Sequence, residues 1–280
     1  MKDAFYTMGG GHFWEDVFFY QKWRIQRNFT TKQYRLLDNW DICRETGDFE
    51  KCRSTFVKYI DAYQIARQKG HIIVMIHGLG QSKNIFKPLW REALKHGFMA
   101  AAVNYPSSQK DLDGHVKQFQ FFLEHLEDVT KVSFVTFGCG NTILQKLMSN
   151  EDAWKKNFSI VRAVEVCPCL FGSKLIDRLR QNNIFSFIIG PMAKDLVPSA
   201  TSDIPPLKNI ESGVIWCNKP WYRRLVEAVF RVTQPDPSME EIKKAAKNEN
   251  IIKLSNHKFN VFKNQAVCDA VIRFLEKGHF

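Results

Sequence analysis

The sequence predicts an α/β fold with a mainly parallel central sheet and helices on both faces. Three observations predict it. From His71 onward, short apolar runs rich in strand formers alternate with stretches carrying apolar residues at helical spacing. One run, Ile72-Ile73-Val74-Met75-Ile76, is apolar throughout, as a strand covered on both faces must be. Another, with Val132, Phe134 and Val135, breaks sharply into Thr136-Phe137-Gly138-Cys139-Gly140-Asn141. Helical spacing then begins at Ile143, Leu144, Leu147 and Met148.

A chain of 280 residues can bury one large core. With 45% hydrophobic and 25% charged residues it falls in the globular range, and no repeat or low-complexity segment interrupts it. Gly9-Gly10-Gly11 reads as a flexible entry. Residues 13–37 read as a β-meander. Val17-Phe18-Phe19-Tyr20 is a strand, Trp23 and Ile25 alternate with Arg24 and Gln26, and Tyr34 and Leu36 alternate with Arg35. Asp48 is placed to cap a helix carrying Phe49, Cys52, Phe56, Tyr59 or Ile60, and Tyr63, ending near Gly70. Residues 1–69 are therefore expected to form a β-rich extension packed on a domain spanning 70–280.

The run 72–76 stops at His77-Gly78-Leu79-Gly80, where glycines let the chain turn at the strand's C-terminal end. Open α/β sheets place their ligands at that edge. A helix over 88–96, a strand over 98–103 and a helix carrying Val116, Phe119, Phe122, Leu123 and Leu126 follow. After the sharp turn come strands over 161–166, 213–217 and 250–254, then a helix over 261–275. Residues 173–210 break this rhythm. The segment holds Phe185, Phe187, Ile188 and Ile189, then Gly190-Pro191, Pro198 and Pro205-Pro206, and is longer than an ordinary connection. It reads as a lid over the C-terminal edge of the sheet, its aromatic and aliphatic run covering something apolar.

The seven cysteines are odd in number and suggest no framework of paired bridges. Cys167-Pro168-Cys169 and the pair Cys43 and Cys52 read as small buried thiols, because no second cluster has zinc spacing. No cofactor or metal is expected. The net charge of +11 is concentrated at Lys155-Lys156, Arg178 with Arg180, Arg223-Arg224, and Lys243-Lys244 with Lys247. Such density is either a solvated surface or a non-specific attraction to anionic lipid or nucleic acid. No nucleic-acid-binding motif accompanies it. The apolar runs are too short to span a bilayer, and the N-terminus lacks the apolar core of a signal peptide. The protein is expected in the cytoplasm, with peripheral membrane association left open.

A strand breaking into a helix through small residues is the setting of the nucleophile elbow, Gly-x-Ser-x-Gly. The chain resembles the lipase-like α/β-hydrolases of bacteria related to triacylglycerol lipases and inositol-deacylase-type hydrolases. His77-Gly78-Leu79-Gly80 is similar to that family's oxyanion loop, and Val135-Thr136-Phe137-Gly138-Cys139-Gly140 to its Val-Thr-His-Ser-Met-Gly elbow. Leu254-Ser255-Asn256-His257-Lys258-Phe259 is similar to the segment bearing its catalytic histidine. Upstream, Phe13-Trp14-Glu15-Asp16 and Trp23-Arg24-Ile25-Gln26-Arg27-Asn28 extend the resemblance over nearly the whole chain.

The resemblance implies an α/β-hydrolase fold and a site at which serine, acid and histidine cooperate. Gly138 stands at the nucleophile position, so the hydroxyl is missing. His257 occupies the histidine position and Asp236 the acid position, although Pro237 stands where the family tends to have glycine. Asp195 and Asp203 are weaker candidates for the acid. Leu79 and Cys139 would supply the oxyanion N–H groups, with His77 and Gly78 shaping the loop.

Three functions follow. One is a pseudoenzyme whose pocket binds an acyl or lipid-like ligand, or whose surface binds a partner. Another is an acyl-ester hydrolase with its nucleophile relocated to Cys139. The third is a basic protein of the membrane surface. The loop, the turn at Gly138 and His257 are expected to converge beneath the 173–210 segment.

Overall fold

The structure, a computed structural model, describes residues 5–6, 13–150, 153–201, 204–218, 227–255 and 260–280. The alternation read between residues 13 and 37 produces an antiparallel sheet. Its strands are β1 (Phe5–Tyr6), β2 (Trp14–Tyr20), β3 (Trp23–Asn28), β4 (Tyr34–Leu37) and β5 (Ile42–Gly47), ordered β1-β5-β4-β3-β2. The sequence reading stops at three strands because β5 carries Arg44, Glu45 and Thr46 in place of an apolar alternation. Val17, Phe18, Ile25 and Leu36 bury one face against Cys52 and Phe56 of α1 (Phe49–Ala62). Asp48 caps that helix as expected, accepting the Lys51 N–H at 2.7 Å. The helix stops well before Gly70, and Gln64 just beyond it takes a left-handed φ of +48°.

The second sheet is parallel. Its elements in order are β6 (His71–Ile76), α2 (Lys87–Lys95), β7 (Met99–Val103), α3 (Leu112–Glu124), β8 (Lys131–Phe137), α4 (Gly140–Ser149) and β9 (Ser159–Val166). Then come α5 (Lys174–Leu179), α6 (Asn183–Ile189), α7 (Pro198–Thr201), β10 (Glu211–Cys217), α8 (Met239–Ala246), β11 (Ile251–Leu254) and α9 (Gln265–Lys277). The strand order is β11-β10-β9-β8-β6-β7, which puts β8 in the interior. The continuous apolar run of β6 is explained by cover on both faces. Ile72, Val74 and Ile76 pack toward α3 and α4, whereas Ile73 and Met75 pack toward α2 and α9. The expected mainly parallel sheet with helices on both faces is therefore present. The α8 helix, which periodicity did not reveal, begins with a capping box between Ser238 and Glu241. Among the described residues no helix is long and apolar enough to cross a membrane.

The two sheets meet at a buried polar joint. The Asp16 N–H donates to the Asn104 carbonyl at 2.9 Å, and the Asn104 N–H returns to Asp16 Oδ2 at 2.6 Å. Gln26 Nε2 donates to Asp16 Oδ1 at 2.7 Å, and Gln118 Nε2 of α3 donates to the Asp16 carbonyl at 3.2 Å. Beside it Glu15, also buried, pairs with Arg27 at 2.6 Å and with Lys110. Removing the Asp16 carboxylate strands two buried donors, each costing about 1–3 kcal/mol. Asp16→Ala is expected to lower unfolding free energy by about 3 kcal/mol, read from the urea midpoint. A loss no larger than that of an exposed Asp→Ala control would show that the joint does not hold the sheets together.

Candidate functional site

The site is built where β6 and β8 end. Gly138 lies between β8 and α4 with a left-handed φ of +56°, and its N–H donates to the Val166 carbonyl at 3.1 Å. Gly140 begins α4 so close to β6 that a Cβ would stand 2.4 Å from the Ile76 carbonyl oxygen. The turn therefore sits directly against the 77–80 loop. This is the strand–turn–helix geometry of a nucleophile elbow, with glycine at its tip.

The loop is tied down from behind. His77 is fully buried, stacked on Tyr105 at 4.1 Å, and its Nδ1 bonds the Gly78 carbonyl at 2.9 Å. Burial pushes the His77 imidazole down to about 4. The Tyr105 hydroxyl donates to the His77 carbonyl, and Ser107 Oγ accepts the Gly80 N–H at 3.0 Å. The Leu79 N–H, which would serve as an oxyanion donor, is given instead to Cys139 Sγ at 2.8 Å. Cys139 is 5% exposed, and burial pushes its thiol up to about 12.

Beneath the turn lies a second polar group that the sequence reading missed. Asn141 Oδ1 accepts the Cys169 N–H at 3.0 Å, and Asn141 Nδ2 reaches Gln145 at 3.5 Å. Gln145 Nε2 in turn reaches Glu165 on β9 at 3.5 Å. Burial raises the Glu165 carboxyl to about 7. The available signal was a carboxylate set between Val164 and Val166 in an interior strand.

These elements floor a cavity of about 610 Å³. Gly78, Leu79, Phe137, Gly138 and Cys139 line it from the sheet edge, and Trp216 and Cys217 from the end of β10. Asp236, with Pro235 and Pro237, also reaches it. Asp195 does not line it. Its carboxylate accepts the Leu112 N–H at the start of α3 at 3.3 Å, so this alternative acid is withdrawn from the site. His257 and Asp203 lie outside the described residues. Cys139, Cys167, Cys169 and Cys217 all border the cavity, yet no group of three metal-ligating side chains occurs among the described residues.

The lid expectation needs correction in detail. The segment lines the cavity through Ser173, Lys174, Leu175, Ile176, Leu196 and Pro198. Its most apolar run does not. Phe187 is 88% exposed and Ile188 61% exposed, on the outer side of α6. The α6 helix is apolar nearly all round but only seven residues long, so one side packs while the other is left to solvent. Phe185 packs edge-on against Phe230 at 5.5 Å.

The parallel sheet, the sharp turn after its interior strand and the facing loop define an α/β-hydrolase fold. No protein-family model matches the chain, and no curated protein matches its sequence. Among solved structures it is similar to an esterase from Exiguobacterium antarcticum, at 12% identity over 75% of this chain and 93% of that one, with a TM-score of 0.49. It is similar to a Paleococcus ferrophilus monoacylglycerol lipase at 12% identity over 74% and 94%, also with a TM-score of 0.49. The type II thioesterase BorB from the borrelidin biosynthetic cluster matches at 12% identity over 74% and 91%, again at 0.49.

Glu165 holds its proton more tightly in the folded chain than in the unfolded one. Its contribution to stability is therefore complete below about pH 4.5 and is lost as pH rises to about 7. Glu165→Gln is expected to remove this dependence. Across that window the variant should gain on the order of 3 kcal/mol relative to wild type. Parallel pH–stability curves for the two proteins would refute a buried neutral carboxyl.

Proposed function

We propose that this chain binds an acyl or lipid-like ligand at the hydrolase-type cavity and does not turn over esters. The observation that carries the reading is the Leu79 N–H bonded to Cys139 Sγ at 2.8 Å, beside a tip residue that is Gly138. An acyl-transfer site needs a nucleophile and donors aimed at the developing oxyanion. Gly138 offers no nucleophile, and one donor is spent on a sulfur within the protein. The cavity itself is well suited to a chain of methylenes, being bordered by Phe137, Leu170, Phe171, Leu175, Ile176 and Leu196.

The competing reading places the nucleophile at Cys139. A thiol pushed up to about 12 is almost wholly protonated at neutral pH, and its sulfur already accepts a hydrogen bond. Both facts favour ligand binding over thiol catalysis.

The purified protein is expected to bind 1-palmitoylglycerol at one site by calorimetry and to hydrolyse p-nitrophenyl butyrate no faster than buffer. A fluorophosphonate probe should label no serine, with Ser82, near the loop, the first to inspect. Ile176→Trp should weaken palmitoylglycerol binding about tenfold by filling the cavity. Ester hydrolysis by the wild type that is abolished in Cys139→Ala would overturn the proposal in favour of the relocated nucleophile.

A further inference from the structure

A second, open cavity of about 510 Å³ adjoins the first, and Lys174 and Pro198 border both. Its chemistry is different. Lys174 and Arg178 enter it from α5 and Arg231 from the chain opposite, with the hydroxyl-bearing Ser199 and Thr233 between them. All three cations are exposed, and none forms an ion pair among the described residues. Arg178 donates to the Gln181 side chain at 3.4 Å. The acidic residue at this cavity, Asp177, is engaged by Arg180 at 2.9 Å. Among the described residues the remaining charge on the cavity wall is thus positive and without an ion-pair partner.

The two cavities are held in fixed relation by Gln234. Its Oε1 accepts the Lys174 N–H, and its Nε2 donates to the Gly172 carbonyl, both at 3.1 Å. Lys174 and Pro198 thus stand at the border between a largely apolar cavity and a basic one.

We propose that the ligand is a single-chain anionic amphiphile, its acyl chain in the larger cavity and its headgroup on Lys174, Arg178 and Arg231. This rests on the acyl-binding reading above and adds the charge of the ligand. Two guanidinium groups and an ammonium suit a phosphate, which accepts bidentate hydrogen bonds from arginine. A neutral headgroup would leave those cations to water and gain nothing from them.

The test compares three probes by calorimetry on the full chain: monomeric 1-palmitoyl-lysophosphatidate, 1-palmitoylglycerol and inorganic phosphate. Lysophosphatidate is expected to bind at least about tenfold tighter than palmitoylglycerol. That gap should close with rising salt, since the headgroup site is solvent-facing. Inorganic phosphate should compete with lysophosphatidate and not with palmitoylglycerol. The double variant Arg178→Ala, Arg231→Ala, at two residues outside the acyl cavity, should bring lysophosphatidate to within about threefold of the palmitoylglycerol affinity, leave palmitoylglycerol binding unchanged and keep the wild-type melting temperature.

Equal affinities in the wild type, or a preference undiminished in the double variant, would overturn the headgroup site while leaving the acyl cavity standing. Phosphate binding as tightly as lysophosphatidate would overturn the amphiphile. Exposed Phe187 and Ile188 make an anionic bilayer the rival occupant. Association with phosphatidylglycerol vesicles without any binding of monomeric lysophosphatidate would assign the basic face to a membrane and overturn the proposal. Binding of neither lipid would remove the acyl reading as well.

Discussion

Gly140 pressed against the end of β6 is the contact on which the site depends. With the Ile76 carbonyl oxygen 2.4 Å from where a Cβ would stand, and that of His77 at 2.8 Å, no other residue fits without moving the strand. The close approach lets β8 turn into α4 directly beneath the 77–80 loop. It brings Gly138, Leu79 and Cys139 to one point on the sheet edge and sets the floor of the cavity. A wider turn would separate loop from elbow, and the Leu79 to Cys139 hydrogen bond could not form.

Several backbone polar groups at that floor are turned toward partners within the protein. Catalytic donors are aimed at a place where charge will develop and are costly to keep unpaired. Here three backbone groups are satisfied within the protein: the Leu79 N–H by Cys139, the Gly80 N–H by Ser107, and the His77 carbonyl by Tyr105. Burial keeps the imidazole of His77 neutral and the Cys139 thiol protonated for the same reason, since a charged form would lose its hydration. The result is an uncharged surface at the sheet edge of the larger cavity, with Lys174 at the border of the neighbouring opening and Arg178 and Arg231 within it.

The N-terminal sheet contributes through backbone geometry. Asp16 bonds the backbone of Asn104, immediately after β7, and Asn104 is followed by Tyr105 and Ser107, the two residues that hold the 77–80 loop. The joint and the loop are thus anchored on one short stretch. Asp41 of the same sheet pairs with Arg24 and lies 3.4 Å from Lys83, just beyond the loop's exit. The extension braces both ends of the loop without entering the cavity.

Patterns of spacing carried much of this architecture in the sequence itself. The unbroken apolar run 72–76 required cover on two faces, and the small residues 138–140 required a tight turn after a strand. Asp48 announced its helix by cap chemistry. The polar strand β5 and the short α8 helix carried no such period and became visible only in three dimensions. At the site, the sequence by itself determined that a glycine holds the tip, because that is a matter of residue type. The engagement of Leu79 by Cys139, the withdrawal of Asp195 to the start of α3 and the outward face of α6 were decided by the tertiary structure alone. Each depends on which groups meet across 60 residues or more, or on which side of a seven-residue helix finds a neighbour, and no local pattern encodes that.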